Sequence, residues 1–373
     1  MIRFFYGAGS PAIKEKLTDC IREDLAAGHR AILLVPEQET VSVERRMLEL
    51  LPPSAQLSFE VLNFSRLANR VFRQLGDLSY HTASPAISAL FMWQALNEVA
   101  VCLRQYGQAA AKDSALCELM LSTASRCKAA CVSPEALLQA AEALPGKDPL
   151  KDKLNDIGLI LSTFDLRIGE KFENGKDDLT RLSEKLEHHG KEVLTDTHVY
   201  IDSFTDFTAQ ELTVIRAMMH AAPTVSVTFP LSDRNAAEGL HLTSVLHTHQ
   251  KLFAMAKALG QSVYYENENS KAPITALSYL SHNIFKMSAE KAPLGLDAKN
   301  VIEVWSCDSP FEEATAIATQ IHRLIRGGCR YRDIAVVVRD ATAWNGILDD
   351  ALEREGIPCF ISEKNEITLR PLI

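Results

Sequence analysis

The chain has 373 residues, of which 47% are hydrophobic and 23% are charged. Its length accommodates about two or three domains, and its composition is that of an ordinary soluble globular protein. The net charge of −9 argues against nucleic-acid binding over the whole surface, although it leaves room for a local basic groove. We expect a cytoplasmic protein without a membrane span or signal peptide, because no apolar run is long enough and no leader pattern precedes the first element.

The beginning of the chain predicts a strand, a helix and a second strand. Residues 2–6 and 31–35 are short apolar runs, typical of strands that are covered by other elements. Apolar residues at a helical spacing lie between them: Ile13, Leu17, Ile21 and Leu25. They predict a helix over residues 11–27. Because crossover connections are right-handed, we expect the two strands to be parallel.

The loop after the first strand resembles a phosphate-binding loop without its functional residues. Such loops follow the pattern G-x-x-x-x-G-K-[ST] between a strand and a helix. Counted from Gly7, the second glycine becomes Ala12, the lysine becomes Ile13 and the hydroxyl residue becomes Lys14. A shift by one residue restores none of them. The backbone N–H groups of the loop, which includes Gly7, Gly9 and Ser10, would hold an anion weakly, but tight ATP binding is not expected.

The elements that follow divide the chain into an α/β part, a helical part and a second α/β part. The α/β pattern predicts a helix, a strand and a helix at 40–51, 57–64 and 65–75. Residues 84–189 predict four to six helices and no strand. The α/β pattern then returns with segments at 198–202, 209–220, 224–229, 242–259 and 262–265. The last part alternates strand and helix at 301–305, 310–326, 334–338, 343–355 and 359–361.

A second candidate for a nucleotide site is the apolar run that ends at Asp202. A strand that ends in aspartate is the layout of a Walker B site, where the carboxylate holds magnesium. Hydrolysis also needs a second carboxylate, normally the next residue, and Ser203 in that position is not a suitable base. Asp202 is therefore either a remnant of a nucleotide site or a residue that only ends a strand and caps a turn.

Cysteines and basic residues give weaker signals. The eight cysteines include no CxxC pair, which predicts free, mostly buried thiols and no metal site. Basic residues cluster in three places: Arg66 with Arg70 and Arg73, Arg126 with Lys128, and Arg323 with Arg326, Arg330 and Arg332. Each cluster is either part of a nucleic-acid groove or a solvated helix face.

Five ordered segments resemble the AddB-type subunits of the bacterial AddAB/RexAB helicase–nuclease. They are residues 4–10, 33–40 with Glu44, 61–68, 200–208 with Glu211, and 330–339 with residues 356–358. The resemblance implies a P-loop NTPase fold of the RecA-like, superfamily-one helicase type, built on a parallel sheet. The first RecA-like domain would comprise residues 1–83 and 191–298. Residues 84–190 would be an inserted all-helical subdomain, and residues 299–373 the truncated start of a second RecA-like domain.

The resemblance also implies a function in the recombinational repair of DNA double-strand breaks. An AddA-type partner would be the motor, while this helicase-like portion would grip single-stranded DNA. The nuclease and its iron–sulfur cluster would lie beyond residue 373, so no cysteine here is assigned to that cluster. Candidate DNA contacts lie in loops after the second and third strands: Gln38, Thr40, Arg45, Asn63, Phe64, Ser65 and Arg66.

Three functions follow from these patterns. The first is a non-catalytic arm that binds single-stranded DNA and a motor subunit. The second is a weak ATPase that uses Asp202 with Mg·ATP, and the third is a scaffold that only contacts other subunits. Phe64 is either a base-stacking residue or a core residue, and Arg66 either a DNA contact or a structural surface residue.

Overall fold

The computed structural model describes residues 1–7, 11–76, 83–107, 113–146, 148–171, 177–231, 240–267, 275–285, 291–293, 295–299 and 301–360. The predictions for Gly9, Ser10 and Ile361 lie outside these residues. The chain forms two compact units. One comprises Met1–Pro273 and Phe285–Ala289, and the other comprises Ile274–Ile284 and Glu290–Ile373. The division falls somewhat before the boundary predicted at residue 298, and the assignment of the units to RecA-like domains stays a prediction.

The first unit is built on a six-stranded sheet in which all strands are parallel. The strands are β1 (Ile2–Tyr6), β2 (Arg30–Leu34), β3 (Phe59–Leu62), β4 (Thr197–Ile201), β5 (Val225–Phe229) and β6 (Val263–Asn267). Their order in the sheet is β3-β2-β4-β5-β1-β6. This arrangement confirms all six strands predicted for this part, with small shifts at their ends. It is compatible with a RecA-like α/β fold.

The helices of this unit agree closely with the predicted pattern. They are α1 (Pro11–Ala26), α2 (Thr40–Leu50), α3 (Phe64–Leu75), α4 (Pro85–Val99), α5 (Ser114–Ala129), α6 (Pro134–Glu142), α7 (Pro149–Lys171), α8 (Asp178–Val193), α9 (Ala209–Ala221) and α10 (Thr243–Ala258). Most have polar N-caps, as helix termini require. In α9, for example, Thr208 and Glu211 form a reciprocal capping box.

Helices cover both faces of the sheet, because successive side chains of each strand point to opposite sides. On one face Phe5, Leu33 and Tyr200 pack with α1 and α2. On the other face the sheet packs with α3, α8, α9 and α10. The helix α8 lies on α3, where the guanidinium of Arg181 is 4.3 Å from the ring centroid of Phe72. The central strands β4 and β5 are therefore buried at every residue, whereas the edge strand β6 is largely accessible.

The helices α4, α5 and α7 have an apolar core of their own, which includes Met92, Leu96, Met120 and Ile160. Buried Asp156 on α7 fixes the loop after α4, since its carboxylate accepts three backbone N–H bonds, from residues 104, 105 and 106. Five helices lie between residues 84 and 193, and the described residues of this stretch contain no strand. The interpretation of this cluster as an inserted subdomain stays a prediction.

The second unit differs from its prediction. Its helices are α11 (Ala276–Asn283), α12 (Pro310–Arg326), α13 (Ala341–Trp344) and α14 (Leu348–Arg354). The helix predicted at 310–326 is confirmed, whereas the one predicted at 343–355 is interrupted at Gly346, whose φ of 78° is left-handed.

The strands predicted at 301–305, 334–338 and 359–361 are wrong for the described residues, which contain no strand in this unit. An apolar run indicates burial, but a strand also needs a hydrogen-bonded neighbour. Three of these side chains lie almost fully in solvent: Val304 at 92%, Val337 at 91% and Phe360 at 92% exposure.

Candidate nucleic-acid interface at the carboxyl edge of the sheet

The carboxyl ends of all six strands meet at one edge of the sheet, where ligands of open α/β sheets bind. The loops after β3, β2 and β4 are neighbours there, and the loop after β1 lies two strands from β4 because β5 is between them. The sheet order thus places the DNA candidates around β2 and β3, and the two nucleotide candidates Gly7 and Asp202 around β5.

The position of the missing lysine is part of the apolar core. Ile13 is only 7% exposed and packs beneath the sheet with Phe5 and Leu17. Lys14 is exposed on α1 and its carbonyl accepts a hydrogen bond from the Thr18 hydroxyl. Gly7 closes β1 by donating its N–H to the Phe229 carbonyl at 3.3 Å. The position counted for the phosphate-binding lysine therefore holds no cation that could face the β- and γ-phosphates of ATP.

Asp202 is 7% exposed, and hydroxyl groups contact both of its carboxylate oxygens. The Thr228 hydroxyl on β5 donates to Oδ1, and the Ser203 hydroxyl donates to Oδ2 at 3.2 Å. Ser203 itself has a left-handed φ of 67°, which is uncommon for a residue with a Cβ. One carboxylate with two hydroxyls is a partial set of magnesium ligands, because such sites add substrate phosphates and water.

An aromatic cluster connects the loops after β3 and β4. Phe64 is 7% exposed and makes edge-to-face contacts with Phe204 and Phe207, with ring centroids 5.8 and 6.3 Å apart. Phe204 and Phe207 are 4.8 Å apart. Phe207 is buried, whereas Phe204 is only half-buried at the surface of the cluster. This geometry favours the core alternative for Phe64 and makes Phe204 the accessible ring.

The remaining DNA candidates divide into accessible and engaged side chains. Four are exposed at the ends of β2 and β3 and on the helices that follow: Gln38, Arg45, Ser65 and Arg66. Thr40 is 2% exposed, and its hydroxyl donates to the Glu37 carbonyl at 3.0 Å. Asn63 caps α3 by accepting the Arg66 N–H at 2.8 Å. In this conformation Thr40 and Asn63 therefore shape the loops rather than offer free groups.

Arg66 also bridges the two helices of this edge. Its guanidinium lies 3.6 Å from the carboxylate of Glu44 on α2, and both side chains are about half exposed. An exposed pair of this kind contributes little to stability. Arg66 can therefore exchange its partner for a phosphate at small cost.

A buried histidine, His249, lies next to the last residue of β1. The Nε2 atom of His249 on α10 is 2.7 Å from the hydroxyl of Tyr6. Burial lowers the pKa of His249, because the charged imidazolium would lose its hydration.

Two contributors to this edge were not among the predicted site residues. Thr228 lies inside the buried strand β5 and gives no local signal. Phe204 follows Asp202 by two residues, so the strand-to-loop pattern around Asp202 could have indicated it.

Other parts of the chain offer fewer ligands for cofactors. The eight cysteines are all free thiols, but the prediction that most of them are buried is wrong, since only Cys20 and Cys117 are buried and five are exposed. Within the described residues no three His, Cys, Asp or Glu side chains are close enough to hold a metal ion. No helix in the part of the chain that the structure describes is long and apolar enough to span a membrane.

Comparison with known proteins identifies the family. Residues 6–283 match the family model described as ADDB, N-terminal. The whole chain is 30% identical over 387 residues to a subunit of the ATP-dependent helicase/deoxyribonuclease of Acetivibrio thermocellus, and it covers 33% of that protein. It is 31% identical over 389 residues to the protein of the same name from Caldanaerobacter subterraneus subsp. tengcongensis, of which it covers 32%. The chain thus spans about a third of the length of these relatives. It belongs to the ADDB N-terminal family.

Proposed function

We propose that this chain is the N-terminal, helicase-like part of a subunit of a helicase–nuclease that processes DNA double-strand-break ends for recombinational repair. In this proposal it binds single-stranded DNA at the carboxyl edge of the sheet and does not hydrolyse ATP. An AddA-type motor subunit would be its partner. The two relatives above, which are named as subunits of an ATP-dependent helicase/deoxyribonuclease, support this class of function.

The observation that carries the proposal is the contrast between the two halves of the carboxyl edge. Around β2, β3 and β4, the accessible groups are a half-buried aromatic ring, two polar side chains and two arginines: Phe204, Gln38, Ser65, Arg45 and Arg66. Such a set can stack a base and contact phosphates. Near β1, by contrast, the position of the phosphate-binding lysine is the core residue Ile13.

The test is the binding of a fluorescein-labelled single-stranded oligonucleotide by this chain, measured by anisotropy at low salt. We expect Phe204→Leu to weaken binding at least about fivefold, because stacking of a base on an aromatic ring contributes about 1–3 kcal/mol. Phe253→Leu is the matched control, since Phe253 is also a partly buried phenylalanine packed against the same core. Equal affinities for the two variants would remove Phe204 from the interface.

DNA binding by the wild-type chain distinguishes the DNA-binding role from the scaffold role. Absence of measurable single-strand affinity, both alone and with an AddA-type subunit, would refute the DNA-binding role. Co-purification with that subunit in the absence of any DNA contact would instead select the scaffold.

A further inference from the structure

A groove of about 750 Å³ lies between α3 and the edge strand β3, next to the proposed interface. Four arginines line it, Arg30, Arg66, Arg70 and Arg73, together with one carboxylate, Glu60. Three of the arginines come from α3 at positions i, i+4 and i+7, which share one face of a helix. Arg30 joins them from the start of β2. From the sequence alone, the three arginines of α3 are either nucleic-acid contacts or a solvated helix face. The fold places them together with Arg30 in one concave surface.

The positive charge of this groove is only partly neutralised. Arg70 is the most buried of the four, and its Nε donates to Glu60 Oε1 at 2.7 Å. Arg66 pairs loosely with Glu44 on α2, at 3.6 Å. Arg30 and Arg73 are exposed and form no ion pair with any residue that the structure describes. The groove therefore has an excess of positive charge on a chain whose net charge is −9.

Arg70 also has unused hydrogen-bonding capacity. Its Nη1 atom is buried and has no hydrogen-bond acceptor among the described residues. A guanidinium presents five N–H donors in a fixed planar fork, which matches the oxygens of a phosphate. Only Nη1 lacks an acceptor, and because this atom is buried, a phosphate contacts the Arg70 guanidinium through its accessible part, with 14% of the side chain exposed.

The place of the groove in the fold indicates its occupant. It begins at Arg66, in the first turn of α3 at the carboxyl edge, and continues to Arg73 in the last turn. With a rise of about 1.5 Å per residue, these two side chains are about 10 Å apart along the helix, so more than one phosphate of a strand can be in contact. An acidic peptide would also bind to these charges. A DNA strand bound at the carboxyl edge, however, would extend directly into the groove, because Arg66 belongs to both surfaces.

We propose that this groove binds the sugar–phosphate backbone of the DNA strand that leaves the carboxyl edge, independently of its base sequence. Arg30, Arg70 and Arg73 contact phosphates, and Glu60 limits the affinity by occupying the Arg70 guanidinium. This inference rests on the proposed function, because the carboxyl edge supplies the strand.

The experiment compares single substitutions in the binding of oligonucleotides of several sequences over a range of salt concentrations. Arg73→Gln and Arg30→Gln should each weaken binding of every sequence, by at least about threefold at low salt. Each should also reduce the slope of log affinity against log salt by about 0.7, the value for one phosphate contact to a single strand. Glu60→Gln, which keeps the size of the side chain but removes its charge, should tighten binding. The matched control is Arg216→Gln, since Arg216 is likewise an exposed arginine on a helix, α9, and lies outside the groove.

The outcomes separate this inference from the proposed function. If the wild-type chain binds DNA and the groove variants have the affinity and salt slope of Arg216→Gln, only the groove is refuted. If the wild-type chain binds no DNA, both fail. A polyglutamate peptide that competes as well as an oligonucleotide of equal charge would also overturn the assignment to DNA. Thermal melting of each variant identifies losses that come from misfolding, and the gain expected for Glu60→Gln cannot arise from misfolding.

Discussion

His249 illustrates how a single buried side chain makes stability depend on pH. It lies in an aromatic environment, with its ring centroid 5.4 Å from that of Phe4 and 5.1 Å from that of Phe229, and it contacts the Tyr6 hydroxyl. Burial lowers the pKa of His249 below its ordinary value of 6.5. The unfolded chain, where this imidazole is hydrated, therefore takes up the proton first as the pH falls. The contribution of His249 to stability is complete above about pH 6.5 and is lost as the pH falls through the folded-state pKa.

We expect His249→Gln to remove this part of the acid sensitivity while retaining a partner for Tyr6. Between pH 7.5 and pH 5, the free energy of unfolding should fall less steeply than in the wild type. The difference has an upper limit of about 1.4 kcal/mol per pH unit for one proton. Urea unfolding at several pH values measures it. His188→Gln, on the exposed side of α8, is the control for the loss of an exposed histidine. Parallel profiles for the wild type and His249→Gln would contradict the prediction.

At the scale of elements, α7 contains two glycines in opposite environments. A Cβ atom added at Gly158 would lie 2.7 Å from Leu138 Cδ2 and 3.3 Å from the backbone oxygen of Pro134, both on α6. At Gly169 an added Cβ would meet no atom within 4 Å. The crossing of α6 and α7 therefore depends on the absence of a side chain at residue 158, whereas residue 169 has no such constraint.

Alanine substitutions should consequently have opposite effects at these two sites. Gly169→Ala should stabilise the protein by about 0.5–1 kcal/mol, because alanine is the better helix former. Gly158→Ala should destabilise it by about 1–3 kcal/mol, as overpacking does. Thermal melting of the two variants tests this, and stabilisation by both would show that the Leu138 side chain moves aside at little cost.

Some signals in the sequence are sufficient to predict an element, and others are not. The helix at 310–326 was predictable because Ser309 and Pro310 mark its start, Gly327 follows its end and an apolar stripe connects them. The same apolar signal failed at 334–338, since it contains no information about the neighbour that a strand needs. At the site, the prediction of parallel strands was enough to place Gly7 and Asp202 at the same edge of the sheet, because each residue directly follows a strand. Sequence periodicity could not decide whether the Phe64 ring is exposed, because burial there depends on Phe204 and Phe207 from another loop.

At the scale of the whole molecule, nucleotide binding would increase the free energy of unfolding. A ligand at a hundred times its dissociation constant stabilises a protein by about 2.7 kcal/mol. Because Ile13 occupies the position of the lysine, we expect millimolar Mg·ATP to leave the melting temperature unchanged and to show no steady-state turnover. A shift in melting temperature together with turnover that Asp202→Ala abolishes would establish the weak ATPase instead. Asp202→Asn, which keeps the hydrogen-bonding shape of the carboxylate, separates loss of charge from loss of fold.

The burial of Ile13 has a consequence for attempts to engineer this loop. Lysine at this position would place an ammonium group among Phe5, Leu17 and Ile21, where a charge without a partner is strongly destabilising. To reach the phosphates, the side chain would have to leave the core, and a cavity would remain beneath β1. The exchange Ile13→Lys alone therefore does not recreate a phosphate-binding loop. A gain of nucleotide binding would require redesign of the packing between α1 and the sheet as well as of the loop sequence.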